Sequence, residues 1–334
     1  MASATTQGQR LRLDGQTALQ DLLAPRCRHD ERLGRALLLQ LLAGTAFHVE
    51  GMPGQIRGNM HILLVSREWT IDAPYIARHA GRVDPMRTLL YESDKFDEDT
   101  LAIRRSEGWR FRRRVRGGRV AERLIVEGGV SPACLEYIGD RDDHEWIRTL
   151  LSGLEHSPED PRYGTTMGST RASILAYTRT VKLVNRPAHF ASALTDGDMA
   201  FGFLREFDLV LPVAPVEVPP ESGPLVEWGE DELASEDLRA WLGERKRLPA
   251  ATITLGLKER LEKGLARIVR RWKKHGGIRA RRVFGPRVEH ALLRLTAASA
   301  RSEGRTEATA ADVDTALRLM GWSWQTLAHL REND

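Results

Sequence analysis

The sequence is poor in cysteine and has no long hydrophobic run, and each shortage argues against a class of protein. Its 334 residues include only Cys27 and Cys134, without a CxxC pair, so neither a disulfide framework nor a cysteine zinc site is expected. No stretch approaches the ~18 uninterrupted apolar residues that cross a membrane. The N-terminus lacks the apolar core of a secretory signal. These features predict a soluble, cytoplasmic protein without a membrane partner.

Metal ligands and nucleophiles also fail to form a recognisable pattern. Six of the histidines show no metal-ligand spacing, and we interpret them as structural: His29, His48, His61, His144, His156 and His275. No Ser-His-Asp context typical of a nucleophilic hydrolase stands out. We therefore expect no metal site.

What the sequence does contain is clustered positive charge. The net charge is +4 and the isoelectric point is about 9.2, which alone says little about partners. However, nine arginines fall between Arg104 and Arg123, against two acids, Glu107 and Glu122. Such a cluster favours contact with a polyanion.

Short apolar runs recur through the first two thirds of the chain. They are separated by segments with helical pieces, which is typical of buried parallel strands joined by crossover helices. The runs are His61–Val65, Thr88–Tyr91, Ala133–Ile138, Ser173–Tyr177 and Asp208–Val213. They predict an α/β base domain.

From about residue 235 the apolar spacing is helical throughout. One stripe is formed by Leu257, Leu261, Leu265, Ile268 and Trp272, and a second helix by Val288, Leu292, Leu295 and Ser299. A third helix is predicted to begin at a capping-box-like segment, Thr309–Asp312, with Val313, Ala316, Leu317 and Met320 on its buried face. We predict a tail over 1–18, a base domain over 19–215, a linker over 216–234 and a helical lid over 235–334.

Residues 109–126 have the pattern of a β-hairpin. Alternating residues flank Gly117-Gly118, a typical two-residue turn. One face of the first strand would carry Arg110, Arg112, Arg114 and Arg116, followed by Arg119 on the return strand, whereas Arg113 breaks the pattern. A row of guanidinium groups suits phosphate contact. The alternative is a solvated charged strand, or one paired with acids such as those at 140, 142 and 143.

Six parts of the chain, taken in order, resemble a known family. They are Ala36–Gly44, Ile56–Val65, Gly128–Tyr137, Arg171–Ala176, Leu204–Val210, and Pro286–Leu295 with Ala311–Met320. Together they resemble the ATPase module of the MCM (minichromosome maintenance) replicative helicases over about residues 19–325. The resemblance implies an AAA+ fold of the P-loop NTPase type, with a parallel five-stranded sheet and a C-terminal helical lid.

The same resemblance indicates that the ATPase motifs are degenerate. The phosphate-loop lysine and magnesium-binding hydroxyl are matched by Asp72 and Ala73, the Walker B acids by Glu136 and Tyr137, the sensor-1 asparagine by Arg179 and the finger arginine by Glu206. Only the sensor-2 arginine is retained, as Arg287. An aspartate beside a triphosphate is repelled by several kcal/mol at ~4 Å. We therefore expect no ATP or magnesium cofactor and no hydrolysis.

Two further basic segments are candidate contact surfaces. Arg162 matches the tip of the family's pore hairpin, with a plain loop as the equal alternative. A zone on the lid contains Arg267, Arg270, Arg271, Lys273 and Lys274, followed by the arginines of 279–282. For this zone a solvated helix face is the favoured interpretation.

The leading hypothesis is an MCM-like module that binds DNA, MCM helicase subunits or both in DNA replication, without hydrolysing ATP. A homohexamer is not favoured, because the finger and phosphate loop normally meet across subunits. The first alternative is a divergent ATP-dependent DNA helicase subunit that uses Glu136, Arg205 and Arg287. The second is a scaffold or regulator of an MCM ring that does not contact DNA.

Overall fold

The computed structural model describes residues 31–66, 76, 83, 110–116, 119–125, 127–134, 171–179, 207–213, 231–276 and 286–332. The helices are α1 (Glu31–Leu42), α2 (Asp231–Arg247), α3 (Leu255–Gly276), α4 (Pro286–Ser302) and α5 (Ala310–Glu332). The strands are β1 (Phe47–His48), β2 (Gln55–Ile56), β3 (Ile62–Ser66), β4 (Arg110–Arg116), β5 (Arg119–Ile125), β6 (Glu127–Cys134), β7 (Arg171–Arg179) and β8 (Leu209–Val213).

Four strands form a parallel sheet in the order β6-β7-β3-β8. The central strand β3 is a continuous apolar run, and its residues from Ile62 to Val65 are buried. This is the pattern of a parallel strand covered on both faces. The fifth predicted strand, Thr88–Tyr91, lies outside the described residues, so a five-stranded sheet and the AAA+ fold stay predictions.

One strand begins earlier than its apolar run predicts. The run Ala133–Ile138 predicts a strand there, whereas β6 spans Glu127–Cys134, with a register irregularity between Glu127 and Val130. The glycines in this segment hide its strand character from a hydrophobicity pattern. Pro132 is tolerated because β6 is at the edge of the described sheet.

The other edge strand, β8, is covered by α5. The backbone N–H of Val210 donates to Ser323 Oγ at 2.8 Å. Along a parallel strand alternate residues face the same neighbour, so position 212 shares this outer side, and there Pro212 has no N–H to satisfy. The edge therefore offers few free donors to another strand.

Helices from both ends of the chain share one buried core. Helix α1 is enclosed almost all round, as its exclusively buried leucines show, and it packs against α4 and α2. A single cluster of buried side chains includes Leu37 of α1, Leu64 of β3, Leu292 of α4 and Val313 of α5. The predicted domain boundaries cross this shared core and remain predictions.

The predicted start of α5 is confirmed by its contacts. The backbone N–H and the hydroxyl of Thr309 both donate to Asp312 Oδ2 at 2.8 Å, so the Asp312 side chain reaches back to the N-terminal N–H as in one half of a capping box. Val313, Ala316 and Met320 are buried, as predicted, and Leu317 is partly buried. None of the described helices is both long and apolar enough to cross a membrane.

Candidate nucleic-acid interface

The predicted hairpin is present as β4 and β5. The two strands are antiparallel, and Arg116 is opposite Arg119, which leaves Gly117-Gly118 as a two-residue connection. The register continues without a bulge from this end to the pair Arg110 and Ile125. The backbone therefore fixes which residues of the two strands share a face.

One face of this hairpin, called here the arginine face, carries only arginine, alanine and isoleucine positions. Directly opposite residues share a face, and alternate residues along a strand change face. The arginine face consists of Arg110, Arg112, Arg114, Arg116, Arg119 and Arg123, together with Ala121 and Ile125. It combines six arginines with no acid.

The opposite face is apolar apart from one pair of opposite charges. Phe111 is opposite Leu124, and Val115 is opposite Val120. Arg113, which interrupts the alternation of the sequence, is opposite Glu122. Cross-strand pairs of opposite charge stabilise a hairpin by about 0.2–1 kcal/mol. Arg113 thus lies on the other face from Arg112 and Arg114 and is opposite an acid.

Arg123 is a candidate contact that sequence reasoning missed. It lies directly opposite Arg112. Counting outward from a two-residue Gly-Gly turn would have found this pair, because that turn fixes the register of both strands. The register therefore has two directly opposed pairs of arginine positions, Arg112 with Arg123 and Arg116 with Arg119.

Like charges in directly opposed positions destabilise a sheet. Alternate residues along a strand are ~6.7 Å apart, which is close to the rise of two base pairs along the axis of a DNA duplex, ~6.8 Å. A polyanion that follows the strand would neutralise several of these arginines at once. The arginine face therefore has the charge and the spacing of a phosphate-contact surface.

The positions matched to the ATPase motifs fall mostly outside the described residues. This holds for Asp72, Ala73, Glu136, Tyr137 and Glu206, and also for Arg162. Two can be placed by their backbone. Arg287 is the second residue of α4, and Arg179 is the last residue of β7, where its register partner is Ser66 of β3. The carboxyl edge of the sheet thus carries an arginine beside the start of the predicted phosphate-loop segment.

The opposite, amino edge holds a buried ion pair that the sequence did not reveal. Arg294 Nη1 lies 2.6 Å from Asp208 Oδ1, and the two side chains are 12% and 0% exposed. Asp208 Oδ2 also accepts the backbone N–H of His61 at 2.7 Å. Arg294 Nε donates to the carbonyl of Arg57 at 3.0 Å. This network binds α4 to the strands β3 and β8, and its charges are already satisfied.

A second buried arginine joins the C-terminal ends of two helices. Arg301 is 3% exposed and donates to the carbonyls of Leu42, the last residue of α1, and of Leu248, which follows α2, at 3.0 and 2.6 Å. It also donates to Thr45 Oγ1 at 2.9 Å. The carbonyls at a helix C-terminus carry partial negative charge, so they can hold a guanidinium without a carboxylate. Burial lowers the pKa of the Arg301 guanidinium.

Within the described part of the chain, no group of three or more His, Cys, Asp or Glu residues could hold a metal ion. Among the described residues, the register of the hairpin gathers six arginines on one face without an acid, which makes the arginine face a candidate contact surface. No protein-family model matches the chain, and no curated protein matches it significantly. Assignment to a family therefore rests on the six resembling segments alone.

Proposed function

We propose that this chain is an MCM-like AAA+ module that binds DNA through the arginine face of the β4–β5 hairpin and does not hydrolyse ATP. It would act in DNA replication, alone or with MCM helicase subunits. The observation that carries the proposal is the hairpin register, which brings six arginines to one face without an acid.

The chemistry of arginine supports a phosphate partner. A guanidinium is planar, always charged and able to donate two parallel hydrogen bonds to a phosphate. Contacts of this kind are independent of base sequence and weaken as salt rises, because binding releases counterions from the nucleic acid. The module would thus bind DNA through charge and shape.

The sheet supports the second half of the proposal. In open α/β sheets, ligands bind beyond the carboxyl ends of the strands where the strand order reverses. Here β3 is flanked by β7 on one side and by β8 on the other. The carboxyl end of β3, at Ser66, therefore lies where the strand order reverses. Its neighbour Arg179 stands where the resembled family has a neutral asparagine. Together with Asp72 and Tyr137, this departure leaves phosphoryl transfer without several of its required parts.

The test is DNA and nucleotide binding by the full chain across a salt series, followed by fluorescence anisotropy. Labelled single-stranded DNA, double-stranded DNA and an ATP analogue are the probes. Arg112→Gln and Arg113→Gln form a matched pair, because the two residues are adjacent in β4, lose the same charge and lie on opposite faces.

We expect salt-sensitive DNA binding that Arg112→Gln weakens more than Arg113→Gln, with no binding of the ATP analogue. Equal effects of both substitutions would argue against the arginine face. Micromolar Mg-ATP binding would instead favour the divergent helicase subunit. Binding to MCM subunits that persists without any DNA binding would favour the scaffold.

A further inference from the structure

Helix α3 carries a second group of basic residues outside the hairpin. Six of them recur at intervals of one, three or four residues, which places them on one side of a helix with 3.6 residues per turn. This basic stripe consists of Arg260, Lys263, Arg267, Arg270, Arg271 and Lys274. It occupies about 100° of the helix circumference. Lys273, which the sequence alone groups with them, falls outside the stripe.

The stripe faces away from the protein core. On the other side of α3, Leu261 is fully buried, and Gly264 lies so close to Leu317 of α5 that a Cβ atom there would overlap that side chain. Lys263 is 77% exposed, and Arg267, Arg270 and Arg271 are also exposed. The buried side rules out an interfacial membrane helix, because such a helix must offer its apolar face to lipid.

The two halves of α3 differ in how their charges are balanced. In the first half, Lys258 pairs with Glu262 at 2.7 Å, and Arg260 forms two hydrogen bonds with Asp314 at 3.0 and 2.8 Å. In the second half, Arg267, Arg270 and Arg271 form no ion pair with a described residue. The sequence contains no acid between Glu262 and Glu289.

Local helix energetics do not explain the second half. Like charges three or four residues apart destabilise a helix, and Arg267 has such neighbours at both Arg270 and Arg271. Basic residues near a helix C-terminus interact favourably with its dipole, but only within the last turn. Arg267 lies nine residues before the end of α3 at Gly276, which is more than two turns. A solvated helix face would not need this arrangement.

We propose that the basic stripe of α3 is a second contact surface for the phosphate backbone of a nucleic acid. The inference rests on the proposed function, because it assigns a further surface to a chain that binds DNA. From Arg260 to Lys274 the stripe is ~21 Å long, which equals the rise of about six base pairs along the axis of a DNA duplex. Arg267, Arg270 and Arg271, which are exposed and form no ion pair with a described residue, are the part with charge available to phosphates.

The experiment compares three full-length variants with the original chain. The stripe variant combines Arg267→Gln, Arg270→Gln and Arg271→Gln. The matched control combines Arg239→Gln, Arg247→Gln and Arg318→Gln, which removes the same charge from exposed positions of α2 and α5. The hairpin variant combines Arg112→Gln and Arg114→Gln. Circular dichroism and thermal unfolding check that each variant folds.

The measurement is the slope of log affinity for labelled DNA against log salt. Each lost phosphate contact reduces this slope by about 0.7–0.9, so the stripe variant should lose about two to three. At moderate salt its affinity should fall about tenfold or more, whereas the control should change little. Vesicles containing phosphatidylserine serve as an anionic surface without nucleic acid.

The outcomes separate this inference from the proposed function. If the hairpin variant loses affinity while the stripe variant matches the control, the inference is overturned and the proposed function stands. If only the stripe variant loses affinity, the stripe is supported and the arginine face fails. If the stripe variant loses affinity only for the vesicles and not for DNA, the inference is overturned. If the original chain does not bind DNA at all, both the inference and the proposed function are overturned.

Discussion

The buried and the exposed arginines of this chain are held in opposite ways. Arg294 is largely buried and Arg301 is fully buried, and each donates to several fixed acceptors. The arginines of the hairpin face and of the second half of α3 lie in rows, with like charges as neighbours and no acid among them. The buried arginines stabilise the fold, whereas the arginines in rows leave positive charge available to a partner. Substitutions at the two kinds of site should therefore change different measured quantities.

The largest effect on stability is expected at Asp208. Asp208→Ala would leave Arg294 buried without its carboxylate and the His61 N–H without its acceptor. Removing one partner of a buried ion pair costs about 3–5 kcal/mol. We expect a loss of that size in the free energy of unfolding, measured by urea denaturation. The matched control is Asp314→Ala, whose pair with Arg260 is about half exposed on both sides, and which should cost about 0–1 kcal/mol.

A smaller loss is expected at Arg301. Arg301→Met keeps an unbranched apolar chain but leaves the carbonyls of Leu42 and Leu248 without this donor. A buried polar group without a partner costs about 1–3 kcal/mol. The free energy of unfolding of the variant, measured by urea denaturation, should fall by an amount in that range or somewhat above. Unchanged stability would mean that these helix ends do not need the guanidinium.

The capping box gives a prediction that depends on pH. Burial alone would raise the pKa of Asp312, but hydrogen bonds from Arg305, Ser299 and Thr309 outweigh it, and the pKa is lowered. A lowered folded-state pKa adds stability above the unfolded value of about 3.9, and this stability is lost as the pH falls below it. Asp312→Asn should cost about 1–2 kcal/mol at neutral pH and less at pH 3. Urea denaturation at both pH values measures the difference, and a cost that does not shrink in acid would contradict it.

The smallest effect, and one of opposite sign, is expected on the arginine face. Arg112→Gln removes one member of the like-charge pair with Arg123. Without DNA, the hairpin should become more stable by a few tenths of a kcal/mol, about 0.2–0.5. Amide hydrogen exchange in β4 and β5 is the appropriate measurement, because it reports local opening. Faster exchange in the variant would show that Arg112 stabilises the hairpin, as the buried arginines stabilise the core.

Features that depend on neighbours in sequence could be predicted. The hairpin follows from alternation around Gly117-Gly118, and the start of α5 follows from Thr309 and Asp312, three residues apart. The central strand β3 follows from a continuous apolar run. Local periodicity is enough in each case because turn geometry, capping and burial act over a few residues.

Features that join segments far apart in the sequence could not be predicted. Asp208 and Arg294 are 86 residues apart, and no local pattern distinguishes them from surface charges. Arg301 bonds to Leu42 across 259 residues. The balance of charge along α3 could not be predicted either, because Arg260 donates to Asp314, which lies in another helix. These contacts arise only when the helices pack, so periodicity alone carries no signal of them.

The most direct test of the central claim is the salt dependence of DNA binding by Arg112→Gln beside Arg113→Gln. The two substitutions remove the same charge from adjacent residues of one strand, and they differ in the face of the hairpin and in the opposite residue, which is Arg123 for Arg112 and Glu122 for Arg113. The proposal predicts that Arg112→Gln reduces the slope of log affinity against log salt by about 0.7–0.9 and that Arg113→Gln leaves it nearly unchanged. Identical slopes for the two variants would contradict it.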